Sequence, residues 1–191
     1  DFPLYFNMRA ASEGGGGYDM RNILNNTLVQ RSPAQAVTFV DNHDTFHVGG
    51  GEPIAEAFRG QAYALILLRA DGVPCLFYPD YHANDARAPL QPLLDTLVAA
   101  RRDFAYGPQT DYIDDPDVIG WTRQGDAEHP RAMAVVLTDG PPGSKRMATG
   151  RANRTFLDVT GASAGSVTTG DDGWGDFSCP AGSLSVWVEQ Q

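Results

Sequence analysis

The stretch Phe39-Val-Asp-Asn-His-Asp-Thr-Phe-His-Val48 begins as an apolar strand and ends abruptly in polar residues. The residues Ala36-Val-Thr-Phe-Val40 are β-branched or aromatic and nearly continuous in hydrophobicity, which is typical of a parallel strand covered on both faces. Parallel α/β folds place catalytic and ligand-binding residues at the carboxyl ends of such strands. We therefore interpret Asn42, His43 and Asp44 as candidate site residues. The alternative is a strand-to-loop turn built from ordinary turn residues.

Composition indicates a globular, acidic chain of one or two domains. Of its 191 residues 42% are hydrophobic, which is ample for a packed core. The 14 Lys and Arg against 24 Asp and Glu give a formal charge of −10 without any basic block, which argues against nucleic acid or an anionic membrane surface as a partner. No apolar stretch approaches the roughly 20 residues that span a bilayer, and the N-terminus lacks the basic start of a signal peptide. Cys75 and Cys179 are interpreted as reduced packing residues.

Strand and helix periodicities alternate up to about residue 109 and then give way to short strands with turn signals. The alternation predicts parallel βαβ units, and the second part predicts a small antiparallel sandwich or barrel. The elements predicted in the first part are a strand over 1–8, a helix opened by the 14–17 glycine tract, a strand over 36–40, a helix over 54–69, a strand over 73–78 and a helix near 90–104. The strands predicted in the second part are 118–123, 132–137, 146–149, 155–159, the stretch around 174–177, and 184–188.

Short motifs follow one another in a fixed order along nearly the whole chain. They include Gly16-Gly-Tyr-Asp-Met-Arg21, Phe39-Val-Asp-Asn-His-Asp-Thr45, Phe104-Ala-Tyr-Gly107, Gly120-Trp-Thr-Arg123, Thr138-Asp-Gly-Pro141 and Gly173-Trp-Gly175. In this order the chain resembles the C-terminal portion of a bacterial liquefying α-amylase of glycoside hydrolase family 13. One such motif would be weak evidence for the resemblance. Many motifs in the correct order, across two unlike structural units, are strong evidence for it.

The resemblance implies an architecture and an activity. Residues 1–109 would be part of catalytic domain A, namely strands 6–8 of a (β/α)8 barrel with their helices, and residues 110–191 the antiparallel β-sandwich called domain C. The parent enzyme would be secreted and would hydrolyse internal α-1,4-glucosidic bonds of starch or malto-oligosaccharides. Retaining glycosidases need two carboxyl groups about 5–5.5 Å apart. In the family these follow the fourth and fifth strands, upstream of Asp1, so we predict that the isolated chain is inactive or weakly active.

The resemblance also assigns roles at the strand end. Asp44 matches the third carboxylate of the family, which hydrogen-bonds sugar hydroxyls and stabilises the oxocarbenium-like transition state. His43 and Asn42 match substrate-binding positions. From the residues alone, a zinc or iron site formed by Asp41, His43, Asp44 and His47 is an alternative, because His and carboxylate ligands suit those metals.

A second constellation suits calcium, which takes six to eight oxygen ligands. The resemblance implies that one calcium ion bridges the barrel and domain C. Its ligands would be the backbone oxygens of Gly16, Tyr18 and Pro116 and the carboxylates of Asp117 and Asp139. The alternative is a solvated acidic turn in an acidic protein.

Three strands of a barrel would leave two open edges, and open edges invite pairing. We therefore predict self-association through the open barrel face, or association with an N-terminal fragment. Two other functions stay open. One is a non-catalytic starch- or oligosaccharide-binding module that uses Asp44, His43 and aromatic side chains, and the other is a calcium-binding structural oligomer without affinity for sugar.

Overall fold

The computed structural model describes residues 1–46, 51–85 and 87–191. In the first part of the chain, helices surround a pair of short parallel strands, β1 (Val37–Phe39) and β2 (Val73–Cys75), in which Val37 is paired with Val73. The α-helices are α1 (Phe2–Gly14), α2 (Leu28–Arg31), α3 (Arg59–Leu68), α4 (Tyr78–Tyr81) and α5 (Gln91–Phe104), and 3-10 helices lie at Met20–Asn22, Pro33–Gln35 and Glu56–Phe58. No helix in these described ranges is both long enough and apolar enough to cross a bilayer.

The first segment is a helix, so the strand predicted at the N-terminus is wrong. Asp1 is the N-cap of α1, and its Oδ1 accepts a hydrogen bond from the amide of Leu4 at 3.1 Å. Pro3 lies in the first turn, where its missing N–H has no intrahelical partner to lose. The Asp1 carboxylate also accepts the amides of Leu28 and Val29, at 3.1 and 2.6 Å, and so anchors α1 to α2. The described part of this region therefore contains two parallel strands rather than three.

The helix predicted after the glycine tract is also largely wrong, because local polar contacts interrupt it. Asp19 caps the 3-10 helix by accepting the amide of Arg21. Asn26 then adopts a left-handed φ of 61°, which ends the right-handed path. Thr27 caps α2 by accepting the amide of Gln30 at 3.1 Å. Short polar side chains that bond the nearby backbone compete with helix formation, although the apolar spacing of this segment favours a helix.

The second part of the chain is a β-sandwich. Its strands are β3 (Gln109–Tyr112), β4 (Val118–Arg123), β5 (Met133–Thr138), β6 (Gly143–Ala148), β7 (Thr155–Asp158), β8 (Ser166–Thr168), β9 (Trp174–Cys179) and β10 (Leu184–Glu189). A six-stranded antiparallel sheet has the order β3-β4-β5-β10-β7-β8, and β6 pairs with β9 in a second sheet. All six predicted strands are present, whereas β3 and β8 were missed because they are short and largely polar.

The central strands of the large sheet, β4, β5 and β10, are buried on both faces. In β5, Ala134 and Val136 belong to the core between the two sheets, together with Phe177 and Trp187. The alternate β5 residues Met133, Val135 and Leu137 belong to a second core that also contains residues of α1, α3 and α5. Alternate side chains of a strand point to opposite faces, which explains why all six residues of β5 are buried. The helical part and the sandwich therefore share one hydrophobic core.

The two cysteines differ in environment, and both are free. Cys179 is buried in the core between the sheets, as predicted. Cys75 is exposed on β2, so its assignment as a packing residue is wrong. The exposed β2 neighbours Val73 and Leu76 show that this side of the parallel pair faces solvent in the described chain.

We expect Gly107 to be essential for the junction between α5 and the sandwich. Its φ is +71°, and a Cβ atom there would lie 1.7 Å from the carbonyl oxygen of Gly125. Gly161 has nearly the same φ, +72°, but a Cβ atom there would meet no heavy atom within 4 Å. The change Gly161→Ala should lower the free energy of unfolding by about 1 kcal/mol, and Gly107→Ala by about 3–5 kcal/mol, because overpacking adds to the backbone strain. Urea denaturation of both variants measures the difference, and equal losses would contradict the assigned close approach.

Candidate functional site at the carboxyl end of the first strand

A compact turn follows β1 and carries the candidate site residues. The Asn42 Oδ1 accepts the amides of Asp44 and Thr45, at 2.8 and 3.1 Å. In return the backbone N–H of Asn42 donates to the Thr45 Oγ1 at 2.9 Å. Such side-chain bonds to the following backbone are what make Asn a frequent turn residue. Asn42 therefore shapes the turn, which is the structural alternative to a role in ligand binding.

The side chains of His43 and Asp44 project from this turn into solvent. Their side chains are 90% and 67% exposed, and His43 Nε2 lies 3.3 Å from Asp44 Oδ1. Exposed at the carboxyl end of a parallel strand, both are free to contact a ligand. Their assignment to substrate binding and catalysis stays a prediction.

Asp41 points the other way, into the protein. Its Oδ1 accepts hydrogen bonds from the Thr45 hydroxyl at 3.0 Å and from the Ile54 amide at 3.3 Å. Its Oδ2 lies 2.8 Å from Arg87 Nη1. Burial raises the pKa of Asp41, and the ion pair with Arg87 opposes that rise.

The zinc or iron hypothesis finds no support in this geometry. Asp41 is buried while His43 and Asp44 are exposed, so these three side chains do not converge. His47, the fourth residue of that hypothesis, lies outside the described residues. Within the described ranges no group of three or more His, Cys, Asp or Glu residues is arranged to hold a metal ion.

A cavity of about 320 Å³ opens beside Asp44. Its lining residues are Phe2, Tyr5, Phe6, Asp44, Thr45, Gly51 and Glu52. It combines two carboxylates with the exposed rings of Phe2 and Phe6, while the Tyr5 ring is buried beneath them. This composition suits a sugar, because rings stack on apolar sugar faces and carboxylates accept hydrogen bonds from hydroxyls.

Sequence reasoning missed the contribution of α1 and Glu52 to this cavity. Arg9 forms an ion pair with the Glu52 carboxylate, and the Tyr5 hydroxyl donates to the Glu52 carbonyl oxygen. These contacts depend on α1 being a helix, whereas a strand was predicted there. No local motif marks Glu52, which follows a glycine tract.

The residues of the calcium hypothesis meet where the glycine loop contacts the turn after β5. A Cβ atom on Gly16 would lie 3.1 Å from the Cα of Gly140 and 3.5 Å from the carbonyl oxygen of Asp139. The Pro116 carbonyl oxygen accepts the Met20 amide at 2.8 Å. The absence of a side chain at Gly16 thus permits a close backbone contact between the two parts of the chain.

The Asp139 carboxylate is the electrostatic anomaly of this junction. Both of its oxygens are buried, and neither has a hydrogen-bond partner in another described residue. Burial, with smaller contributions from the negative charges of Asp117 and Asp19, raises the pKa of Asp139 to about 6. Burial and the charges of Asp19 and Asp139 also raise the pKa of Tyr18. An unpartnered carboxylate beside other carboxylates is a place where a cation would be stabilised.

Comparison with known proteins gives matches over the whole chain. Residues 141–188 match the family model described as "Alpha-amylase C-terminal". The glucan 1,4-alpha-maltohexaosidase of Bacillus sp. (strain 707) is 45% identical over 196 residues, which cover 100% of this chain and 38% of that protein. An α-amylase of Geobacillus stearothermophilus is 45% identical over 203 residues, with 100% and 36% covered. The cytoplasmic α-amylase of Escherichia coli (strain K12) is 39% identical over 206 residues, with 100% and 41% covered.

The chain therefore spans less than half the length of these relatives. Among solved structures, an α-amylase from Malbranchea cinnamomea superposes with a TM-score of 0.73 at 19% identity, over 98% of this chain and 45% of that one. At this identity the likeness concerns the fold alone. The relatives and the family model confirm the resemblance of this chain to the C-terminal portion of a bacterial liquefying α-amylase of glycoside hydrolase family 13.

Proposed function

We propose that this polypeptide is the C-terminal part of an α-amylase that hydrolyses internal α-1,4-glucosidic bonds of starch. The observation that carries the proposal is the alignment of the whole chain, at 45% identity, with relatives named as a glucan 1,4-alpha-maltohexaosidase and an α-amylase. The parallel strands β1 and β2 with their helices would be part of the catalytic barrel, residues 1–109, and the sandwich over 110–191 would be domain C. A parallel pair with polar residues at its carboxyl end supports this assignment.

Within that reaction Asp44 would accept hydrogen bonds from sugar hydroxyls and stabilise positive charge that develops on the sugar. Its exposed carboxylate beside the aromatic cavity supports this role. His43 would contact the same sugar, while Asn42 acts by shaping the turn. Glu52 lines the same cavity, but Arg9 holds its carboxylate in an ion pair, so we do not assign it the proton-donating role. On this proposal the 191-residue polypeptide lacks the pair of carboxyl groups that hydrolysis requires.

A second candidate function is oligosaccharide binding without turnover. The cavity favours it, because the exposed rings of Phe2 and Phe6 offer stacking surfaces next to Asp44. Retention of saccharide by the isolated chain would need these groups but no catalytic pair.

Calcium would be held where the glycine loop meets the turn after β5. The fit rests on the Asp139 carboxylate, which is buried and has no partner in another described residue. Asp117 would add a second carboxylate, and Gly16, Tyr18 and Pro116 would add backbone oxygens, a mixture that calcium accepts. The ion would supply positive charge that ties the helical part to the sandwich. The Pro116 oxygen accepts the Met20 amide, and a carbonyl oxygen has a second lone pair with which it could also bind a cation.

We infer that the purified chain associates with itself through the exposed side of the parallel pair. Val37 and Val73 are paired across β1 and β2 and are 52% and 58% exposed. Exposed strand edges and apolar side chains favour burial against another chain. In a purified sample the partner for this face is a second copy of the same chain. An N-terminal fragment would compete with that copy for the same face.

We also propose secretion, as the resemblance implies, although one relative is named as cytoplasmic.

We expect the purified 191-residue chain to release no more reducing sugar from soluble starch than its Asp44→Ala variant. Maltoheptaose binding should weaken about tenfold or more in Asp44→Ala, because a hydrogen bond to a charged group contributes about 1.5–3 kcal/mol. Glu128→Ala, an exposed carboxylate on the β4–β5 turn, serves as the matched control and should bind as the wild type does. Starch hydrolysis that Asp44→Ala abolishes would contradict the proposed lack of a catalytic pair.

We expect calcium to raise the melting temperature. At about 100 times its dissociation constant, calcium should stabilise the chain by about 2.7 kcal/mol, or about 5–10 °C for a chain of this size. Asp139→Asn should lose this response, and without calcium it should be no less stable than the wild type, because it removes a buried, unpartnered charge. Asp176→Asn changes an exposed carboxylate outside the site and should keep the response. Equal calcium responses in both variants, measured by differential scanning calorimetry, would rule out the proposed site.

Sedimentation velocity should find oligomers of the wild-type chain at micromolar concentration. The double variant Val37→Lys/Val73→Lys should be monomeric, because two charges would have to be buried in the contact. Leu157→Lys, at a similarly exposed apolar position on β7, should associate as the wild type does. A monomeric wild type would contradict self-association.

A further inference from the structure

Four charged side chains form a buried network between the carboxyl ends of β1 and β2. Asp41 and Asp80 have fully buried carboxylates, and the side chains of Arg59 and Arg87 are 1% and 8% exposed. Two negative and two positive charges balance, which is the condition under which buried charges are tolerated.

Arg87 connects the two carboxylates. Its Nη1 lies 2.8 Å from Asp41 Oδ2, after β1, and its Nε lies 3.1 Å from Asp80 Oδ1, after β2. Asp80 is held independently of Arg87, because Arg59 Nη1 and the Tyr63 hydroxyl bind it at 2.9 and 2.5 Å. Asp41 has no such second cation among the ion pairs of the described residues, so its charge depends on Arg87.

From Asp41 the contacts continue into the turn that carries Asp44. The Asp41 Oδ1 accepts the Thr45 hydroxyl, and the Thr45 Oγ1 accepts the Asn42 amide at 2.9 Å. Asn42 in turn binds the Asp44 amide through its side-chain oxygen at 2.8 Å. A continuous series of hydrogen bonds thus joins Arg87 to the backbone of Asp44.

Arg87 also contacts the far end of the turn. Its guanidinium carbon lies 4.7 Å from the centroid of the Phe46 ring, a cation–π distance. The same guanidinium therefore holds the turn at two points, through Asp41 and through Phe46.

We propose that Arg87 is a positioning residue for Asp44: it fixes the turn of residues 42–45 and thereby the direction in which the Asp44 carboxylate meets a sugar. Without the guanidinium, Asp41 would be a buried carboxylate with no cation, which must either take up a proton or move toward water. Either change alters its bonds to Thr45 and Ile54 and loosens the turn. The link to sugar rests on the proposed function, whereas the effect on the turn does not.

The test compares Arg87→Met with Arg69→Met in the 191-residue chain. Arg69 is a matched control, because it is 5% exposed and binds Asp111 through two bonds of 2.7 and 2.8 Å, away from the turn. Amide hydrogen exchange by NMR, at denaturant concentrations that equalise global stability, should show at least tenfold faster exchange at Ile54 and Thr45 in Arg87→Met than in Arg69→Met. Arg87→Lys, which keeps a cation near Asp41, should return the rates to within about threefold of the wild type.

Titration of the same variants with maltoheptaose measures their affinity for the sugar. A role in stability alone would leave this affinity unchanged. Affinity should fall at least tenfold in Arg87→Met and stay within about twofold of the wild type in Arg69→Met. The positioning role is overturned if exchange at Ile54 and Thr45 is the same in Arg87→Met as in Arg69→Met, or if Arg87→Lys is no better than Arg87→Met. A wild-type chain that binds no maltoheptaose would instead contradict the proposed function, and the exchange rates would still decide the role of Arg87 in the turn.

Discussion

The arrangement of the molecule depends on the burial of both faces of the central strands β4, β5 and β10 in the six-stranded sheet. Alternate residues of β5 and β10 serve two cores, one shared with the β6–β9 pair and one shared with the helices. Trp121 shows the coupling directly, because its ring lies in the helical core and its Nε1 donates to the Leu68 carbonyl at the end of α3, at 3.3 Å. Gly60 in α3 brings the helix close, since a Cβ there would lie 3.0 Å from Leu184 of β10 and Leu93 of α5. The two parts of the chain are consequently packed as one unit.

This shared core determines where the polar sites lie. β1 and β2 are held against α3, so the segments that follow the two strands lie at the same end of the parallel pair. There Arg87 joins Asp41 to Asp80. The turn after β5 carries Asp139 and lies beside the glycine loop, where the helical part meets the sandwich. Both polar clusters are therefore consequences of apolar packing, because the strands and helices that deliver them are fixed by the two cores.

Sequence reasoning succeeded where one periodicity governs a segment. Six of the eight described sandwich strands and helices α3 and α5 followed from apolar spacing, and the place of Asp44 in the turn after β1 followed from the general behaviour of parallel strand ends. It failed where a single polar side chain decides the backbone. Asp1 turns an apparently strand-forming sequence into the start of α1 by capping it and binding α2, which is a contact across 27 positions of sequence. The rule that flagged Asp44 also applies to Asp80, which follows β2, but its partners Arg59 and Arg87 are visible only in three dimensions.

Some buried carboxylates of this chain are paired with a guanidinium and one is not, and this difference bears on function. Asp41 and Asp80 each receive a guanidinium from the chain itself, at 2.8 and 2.9 Å, so their charges are balanced internally. Asp139 receives none from the described part of the chain: its oxygens have no partner there, and its pKa is raised to about 6. Because an uncompensated buried charge is costly, such a group is tolerated when a proton or an external cation neutralises it. At the proposed calcium site, to which Asp117 and three backbone oxygens would contribute, a divalent cation would neutralise more charge than one proton does, where the helical part meets the sandwich.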